Sequence, residues 1–242
     1  MRTHLGVGLG LLVVLASGIA NAEITQQDNW TQRFANAAGY PNGTVASFAI
    51  APGSQRILLV AIASLSDSGQ QSVTSISYGG MPMLLAQGDG DVNAAQHTYL
   101  YYLLEEGIKP LASVSRPLNV SISGGAPGAN LVYSAVFAGV DQTAPFTDRK
   151  GWSSGATRSP NIGPFNPGLS MNPGDWPIEV ILLHCLQGTG CSSPPTVGVW
   201  ASGWDTPDSL IVNASAPGGA MPRFYLAGCG HYGVLELSND HA

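Results

Sequence analysis

The chain has 242 residues, of which only 10% are charged, with 31 glycines, 17 prolines and a formal net charge of −6. Low charge beside so many small residues and turn formers argues against a disordered tail or a helical bundle and suits short strands joined by turns. Lys109 and Lys150 are the sole lysines, so no basic stripe exists to neutralise a phosphate backbone, and nucleic acid is excluded as an expected partner.

In chain order, Met1 to His4 carries one arginine and no acid, Leu5 to Ile19 is uncharged, and Ala20-Asn21-Ala22 supplies a small-x-small pattern before Glu23. Residues 1–22 therefore read as a cleavable secretory signal, because an apolar run of about 15 residues is short of the roughly 20 that span a bilayer. No later apolar run reaches that length: Ile57–Leu65, Leu131–Val140 and Ile178–Leu186 are of strand length. The expected place is secreted, extracellular or cell-surface, with the periplasm as the alternative, and no membrane span after cleavage.

Residues 23–43 form a polar segment without a clear period, expected as an extended N-terminal arm or edge segment. Strands are predicted at Thr44–Ile50, Gln55–Ser64, Ser72–Tyr78, Met81–Ala86, Gln96–Leu104, Leu118–Ser123 and Ala129–Phe137, each bounded by turn residues. Gly79-Gly80 between Val73–Tyr78 and Met81–Leu84 predicts a hairpin, since two glycines accept the positive φ of a tight turn. Strict alternation in Leu118–Ser123 predicts a strand with one face on a core. Residues 141–175, rich in Gly, Pro, Ser and Asn, read as one long loop. Further strands are predicted at Trp176–Leu186, Thr196–Ala201, Ser209–Ala214 and Arg223–Glu236, and no helix is. The expected fold is all-β: an antiparallel two-sheet sandwich of jelly-roll or immunoglobulin-like type, one domain over 44–242.

Several of these segments resemble β-sandwich modules of bacterial exported and cell-surface proteins, mostly of unknown function. The pieces are Arg56–Ile62, Val73–Gly80, Tyr99–Leu103 and Ala135–Gln142, with a weaker stretch at Trp200–Trp204. The resemblance implies a fold and a place outside the cytoplasm and carries no catalytic residues, because fold is not function.

Three cysteines occur, Cys185, Cys191 and Cys229. In an oxidising compartment, Cys185 and Cys191, flanking Leu-Gln-Gly-Thr-Gly, are the candidate disulfide, which leaves Cys229 as the odd thiol. Cys229 and His231, two apart, share a strand face. With His184 from a neighbouring strand they form a candidate metal or polar site, although a hydrogen-bonded histidine is the commoner use of such a residue. Asp89, Asp91 and Asn93 set oxygen-bearing side chains at alternate positions, as a calcium loop begins, while Ala94 and Leu100 stand where an EF-hand needs Gly and Glu. Calcium is thus the one cofactor considered, against a plain Asp/Gly turn.

Gly151-Trp152-Ser153-Ser154-Gly155 matches the nucleophile-elbow spacing, but it follows Asp148-Arg149-Lys150, which reads as a charged loop, and no helix is predicted after it, whereas the chemistry needs a strand–turn–helix. Glu105-Glu106 are adjacent and Asp205 and Asp208 flank a turn at Pro207, so neither makes the converging carboxylate pair of a glycosidase. No catalytic residue is expected. Trp152, Trp200 and Trp204 are candidates for stacking on sugar faces, and Tyr99 with Tyr101 alternate onto one face, where a core role competes.

Two functions from different classes follow. The first is a non-catalytic structural or adhesive surface protein that self-associates, or joins another surface protein, by adding the arm as a strand to an open sheet edge, as in filaments or an extracellular matrix. The alternative is a carbohydrate-binding sandwich, calcium-assisted or not.

Overall fold

Ile57 to Ala63 is apolar at every position, which a strand can carry only if both of its faces are covered. The computed structural model describes residues 23–36, 41–68, 71–88, 96–124, 126–153, 162–165, 175–184, 199–200, 209–214, 224–226 and 229–237. The expected signal segment 1–22 lies outside them.

The first strands are β1 (Thr25–Asn36), β2 (Asn42–Phe48), β3 (Ile57–Ser68), β4 (Ser72–Tyr78), β5 (Met81–Pro82), β6 (Leu84–Gly88) and β7 (Gln96–Leu104). One helical turn, α1 (Glu105–Ile108), precedes β8 (Arg116–Ser123) and β9 (Ala126–Ala138). Then come β10 (Phe146–Ser153), β11 (Ile162–Phe165), β12 (Trp176–His184), β13 (Val199–Trp200), β14 (Ser209–Ala214), β15 (Phe224–Leu226) and β16 (Cys229–Leu237). A five-stranded sheet of order β1-β9-β3-β7-β6 and a four-stranded sheet of order β2-β8-β4-β5 make the antiparallel two-sheet sandwich expected from sequence.

The core between these two sheets takes Leu58, Val60 and Ile62 of β3, Val132 and Val136 of β9, and Leu118, Val120 and Ile122 of β8. The alternating residues Ile57, Leu59, Ala61 and Ala63 point the other way, into a second core with Leu131, Tyr133, Ala135 and Phe137. Ile178 of β12 is buried in that second core, and Phe146 and Trp176 pack on it. A further five-stranded sheet, of order β10-β16-β12-β14-β13, therefore covers the opposite face of the β3 sheet. This third layer is why β3 carries no polar alternation.

The polar arm is β1, an edge strand paired with β9 of its own chain through three register shifts. Those shifts erase any period of two in its sequence, while Ile24 and Trp30 still reach the second core. The region read as a single loop, 141–175, contains β10 and β11. Strand β10 pairs with β16, a partner some 80 residues away in the chain, and its own Phe146 packs on the second core. The predicted Gly-Gly hairpin is present: Tyr78 pairs with Met81, and Gly79 and Gly80 hold φ of +57° and +86°. Among the described residues, no helix is long and apolar enough to cross a membrane.

Candidate functional site

The motif residues that carry the resemblance meet in a buried polar node. Arg56 is 1% exposed. Its Nε and Nη2 donate to the two carboxylate oxygens of Glu105 at 2.8 and 2.6 Å, and its Nη1 donates to the Ala51 carbonyl at 2.6 Å. The backbone N–H of Arg56 also donates to Glu105 Oε2, at 3.0 Å. Gln142 closes the node from β9's far end: its Nε2 donates to the Val140 carbonyl at 2.8 Å and its Oε1 accepts the Glu105 N–H at 2.9 Å. Burial works against the ionised Glu105, but the hydrogen bonds and charge of Arg56, with Lys109 beyond, outweigh it and hold the carboxyl below its ordinary value.

The neighbouring motif positions are equally structural. Gly139 sits at φ +76°, where a side chain would run into the Glu23 carbonyl. Asp141 Oδ1 accepts the N–H groups of Thr143 and Ala144 at 2.6 and 2.9 Å, a turn closed by an aspartate side chain. The Ala138–Gln142 stretch thus ties the end of β9, the start of β3 and the first residue of α1 together.

The tyrosines of β7 are half-buried against the two cores. Tyr99 and Tyr101 pack on the sandwich core with ring centroids 6.3 Å apart, and Tyr102 meets Phe146 edge-on at 4.9 Å across the second core. Burial alone pushes the Tyr101 hydroxyl up to about 12.

The tryptophans give a different result. Trp152 of β10 pairs in register with Tyr232 of β16, Tyr232 with Ile181 of β12, Ile181 with Ile211 of β14, and Ile211 with Trp200 of β13. Directly opposed residues of antiparallel strands share a face, so these five form one row across the whole sheet, about 19 Å at the usual strand spacing. The next row on that face is Lys150, Val234, Glu179 and Asn213, and the Lys150 side chain is 44% exposed. The row is therefore on the face opposite Ile178. Sequence reasoning singled out its two ends, Trp152 and Trp200, and missed Tyr232. The missing signal was the pairing of strands more than 70 residues apart.

Other expected site residues are distributed as follows. Cys185, Cys191, Asp89, Asp91, Asn93 and Trp204 lie outside the described residues, as do Asp205 and Asp208. Ser153, the centre of the elbow-like pattern, is the last residue of strand β10. Glu105 is committed to Arg56. Among residues whose side chains are described, no group of three or more His, Cys, Asp or Glu suited to a metal occurs. Comparison with protein families, with curated proteins and with solved structures finds no match for the chain.

Proposed function

We propose that this chain is a non-catalytic structural or adhesive protein of the cell exterior that associates with copies of itself by strand addition at β1. The observation that carries the proposal is the place of β1: it ends the central sheet, and among the described residues its outer edge has no strand neighbour. Main-chain pairing gives such an edge affinity with little demand on side chains. The arm contains no lysine, the residue that commonly guards an exposed edge. The secretory character of residues 1–22 and the resemblance to exported sandwich modules support the location.

Deleting the arm would also strip Ile24 and Trp30 from the core, so the test is made at exposed positions. Asn29→Lys with Ala35→Lys should remove the high-mass species from sedimentation velocity while the thermal midpoint stays within a few degrees. Assembly that survives both lysines, or a parent protein that never assembles, overturns the proposal.

The aromatic row favours a second reading, recognition of an extended neutral polysaccharide. Aromatic residue types at both ends of one register row, Trp152 with Tyr232 at one end and Trp200 at the other, are what stacking on separated sugars of one chain would use, with Asn213 and Glu179 in the adjacent row as hydrogen-bonding types. On a glycan array, Trp152→Ala and Trp200→Ala should each weaken a polysaccharide signal at least tenfold, with and without a calcium chelator. Silence of the parent across neutral polysaccharides sinks this reading and leaves the first.

A further inference from the structure

We propose that His184, Cys229 and His231 form a transition-metal site of the thiolate–imidazole kind, suited to zinc(II) or copper(I), at one end of the β12–β16 pair. The proposal is independent of the assembly and polysaccharide readings. It rests on strand register. β12 and β16 pair without a register shift from Trp176 opposite Leu237 to His184 opposite Cys229. His184 and Cys229 are thus directly opposed, and His231 is two residues along β16 from Cys229, opposite Leu182. All three occupy the same face of the sheet.

That face is the one carrying Trp176 and Ile178, the latter fully buried in the second core. From Ile178 the same face of β12 continues through Val180 and Leu182 before it reaches His184. The register thus brings two histidines and one cysteine to within one ladder step of each other at the end of this strand pair, and histidine with cysteine is the residue set from which zinc and copper sites are built. Opposed residues lie about 5 Å apart at Cβ and residues two apart on a strand about 7 Å. Both spans suit ligands that must approach a single ion at about 2.3 Å for sulfur and about 2.0 Å for nitrogen.

The cysteine count points the same way. With Cys185 and Cys191 as the candidate pair, Cys229 is the thiol left over, and coordination protects a thiol from oxidation where a free one is exposed to it. Two imidazoles and a thiolate are ligands of borderline and soft character, which favours zinc or copper over calcium or magnesium. Binding releases the thiol proton, so affinity rises with pH. Three protein ligands leave one position for water or an added ligand. His97, the other described histidine, lies on β7 and is not part of the set.

The test uses the intact chain, stripped of metal under reducing conditions and then titrated with cobalt(II) as a spectroscopic probe. One equivalent should produce a thiolate-to-cobalt charge-transfer band, displaced by zinc(II); a separate copper(I) titration tells which metal is held more tightly. Cys229→Ser should abolish the band, and His184→Ala and His231→Ala should each lower affinity more than about a hundredfold, beyond the loss typical of an outer-shell change. Metal should also shield Cys229 of the parent from alkylation, a measurement that needs no variant. The proposal is overturned by an absent band at one equivalent, by a band that survives Cys229→Ser, by alkylation of Cys229 unaffected by metal, or by peptide mapping that finds Cys229 disulfide-bonded.

Discussion

At the scale of single residues, the Arg56–Glu105 pair shows how an ion can be sealed inside an all-β protein. Arg56 satisfies its guanidinium with both Glu105 oxygens and the Ala51 carbonyl, so its burial costs little as long as every partner stays. Glu105→Ala strands that charge and should cost about 3 kcal/mol in urea unfolding, the low end for a broken buried pair because Glu105 is 18% exposed. Arg56→Met combined with Glu105→Leu should cost less than Glu105→Ala alone, and a cycle showing simple additivity would refute the coupling. The folded-state carboxyl is depressed, so its contribution is present at neutral pH and is lost as pH falls below the ordinary glutamate value of about 4.3. Glu105→Gln should flatten that acid limb.

At the scale of elements, the β4–β5 hairpin separates two glycines that look alike in sequence. A side chain at Gly79 would meet Leu111 Cδ1 at 2.8 Å, whereas at Gly80 it would meet nothing within 4 Å. Gly80→Asn should therefore leave stability within about 0.5 kcal/mol, since asparagine tolerates the left-handed region, while Gly79→Asn should cost about 2 kcal/mol. Denaturant midpoints of the two variants decide it. That turn, β4, β7 and β14 were legible in sequence because each is a run of strand-forming residues set off by turn formers. Strand β8 was legible from its pattern, Leu118, Val120 and Ile122 alternating into the core. Strand β1 was legible only as an extended or edge segment, without bounds or partner, because its bulges put Trp30 in the core without a two-residue beat. Strand β10 was not legible, since Asp148, Arg149 and Lys150 read as a loop until β16 pairs with them. The ends of the aromatic row could be picked from composition, but its straightness belongs to the register of four strand pairs.

At the scale of the whole molecule, the central sheet carries a perturbed tyrosine on each face. Tyr101 packs toward the four-stranded sheet and Tyr133 toward the third sheet, and burial pushes both hydroxyls up to about 12. A raised folded-state value means that stability is fully present below the unfolded value of about 10 and is lost as pH rises to about 12, by up to about 1.4 kcal/mol per pH unit for each tyrosine. Urea midpoints followed through that window should fall in the parent. Tyr101→Phe and Tyr133→Phe should each remove part of the fall, and a window left flat in the parent would refute the burial of both rings. The central sheet also sets an order of events. Gln32 of β1 meets Tyr133 of β9, 101 positions later in the chain. At a synthesis rate of about 5–20 residues per second, β1 waits about 5–20 s for the strand that completes it. During that interval Ile24 and Trp30 have no core to enter, and the newborn chain offers a second molecule the same edge that its own β9 will later claim.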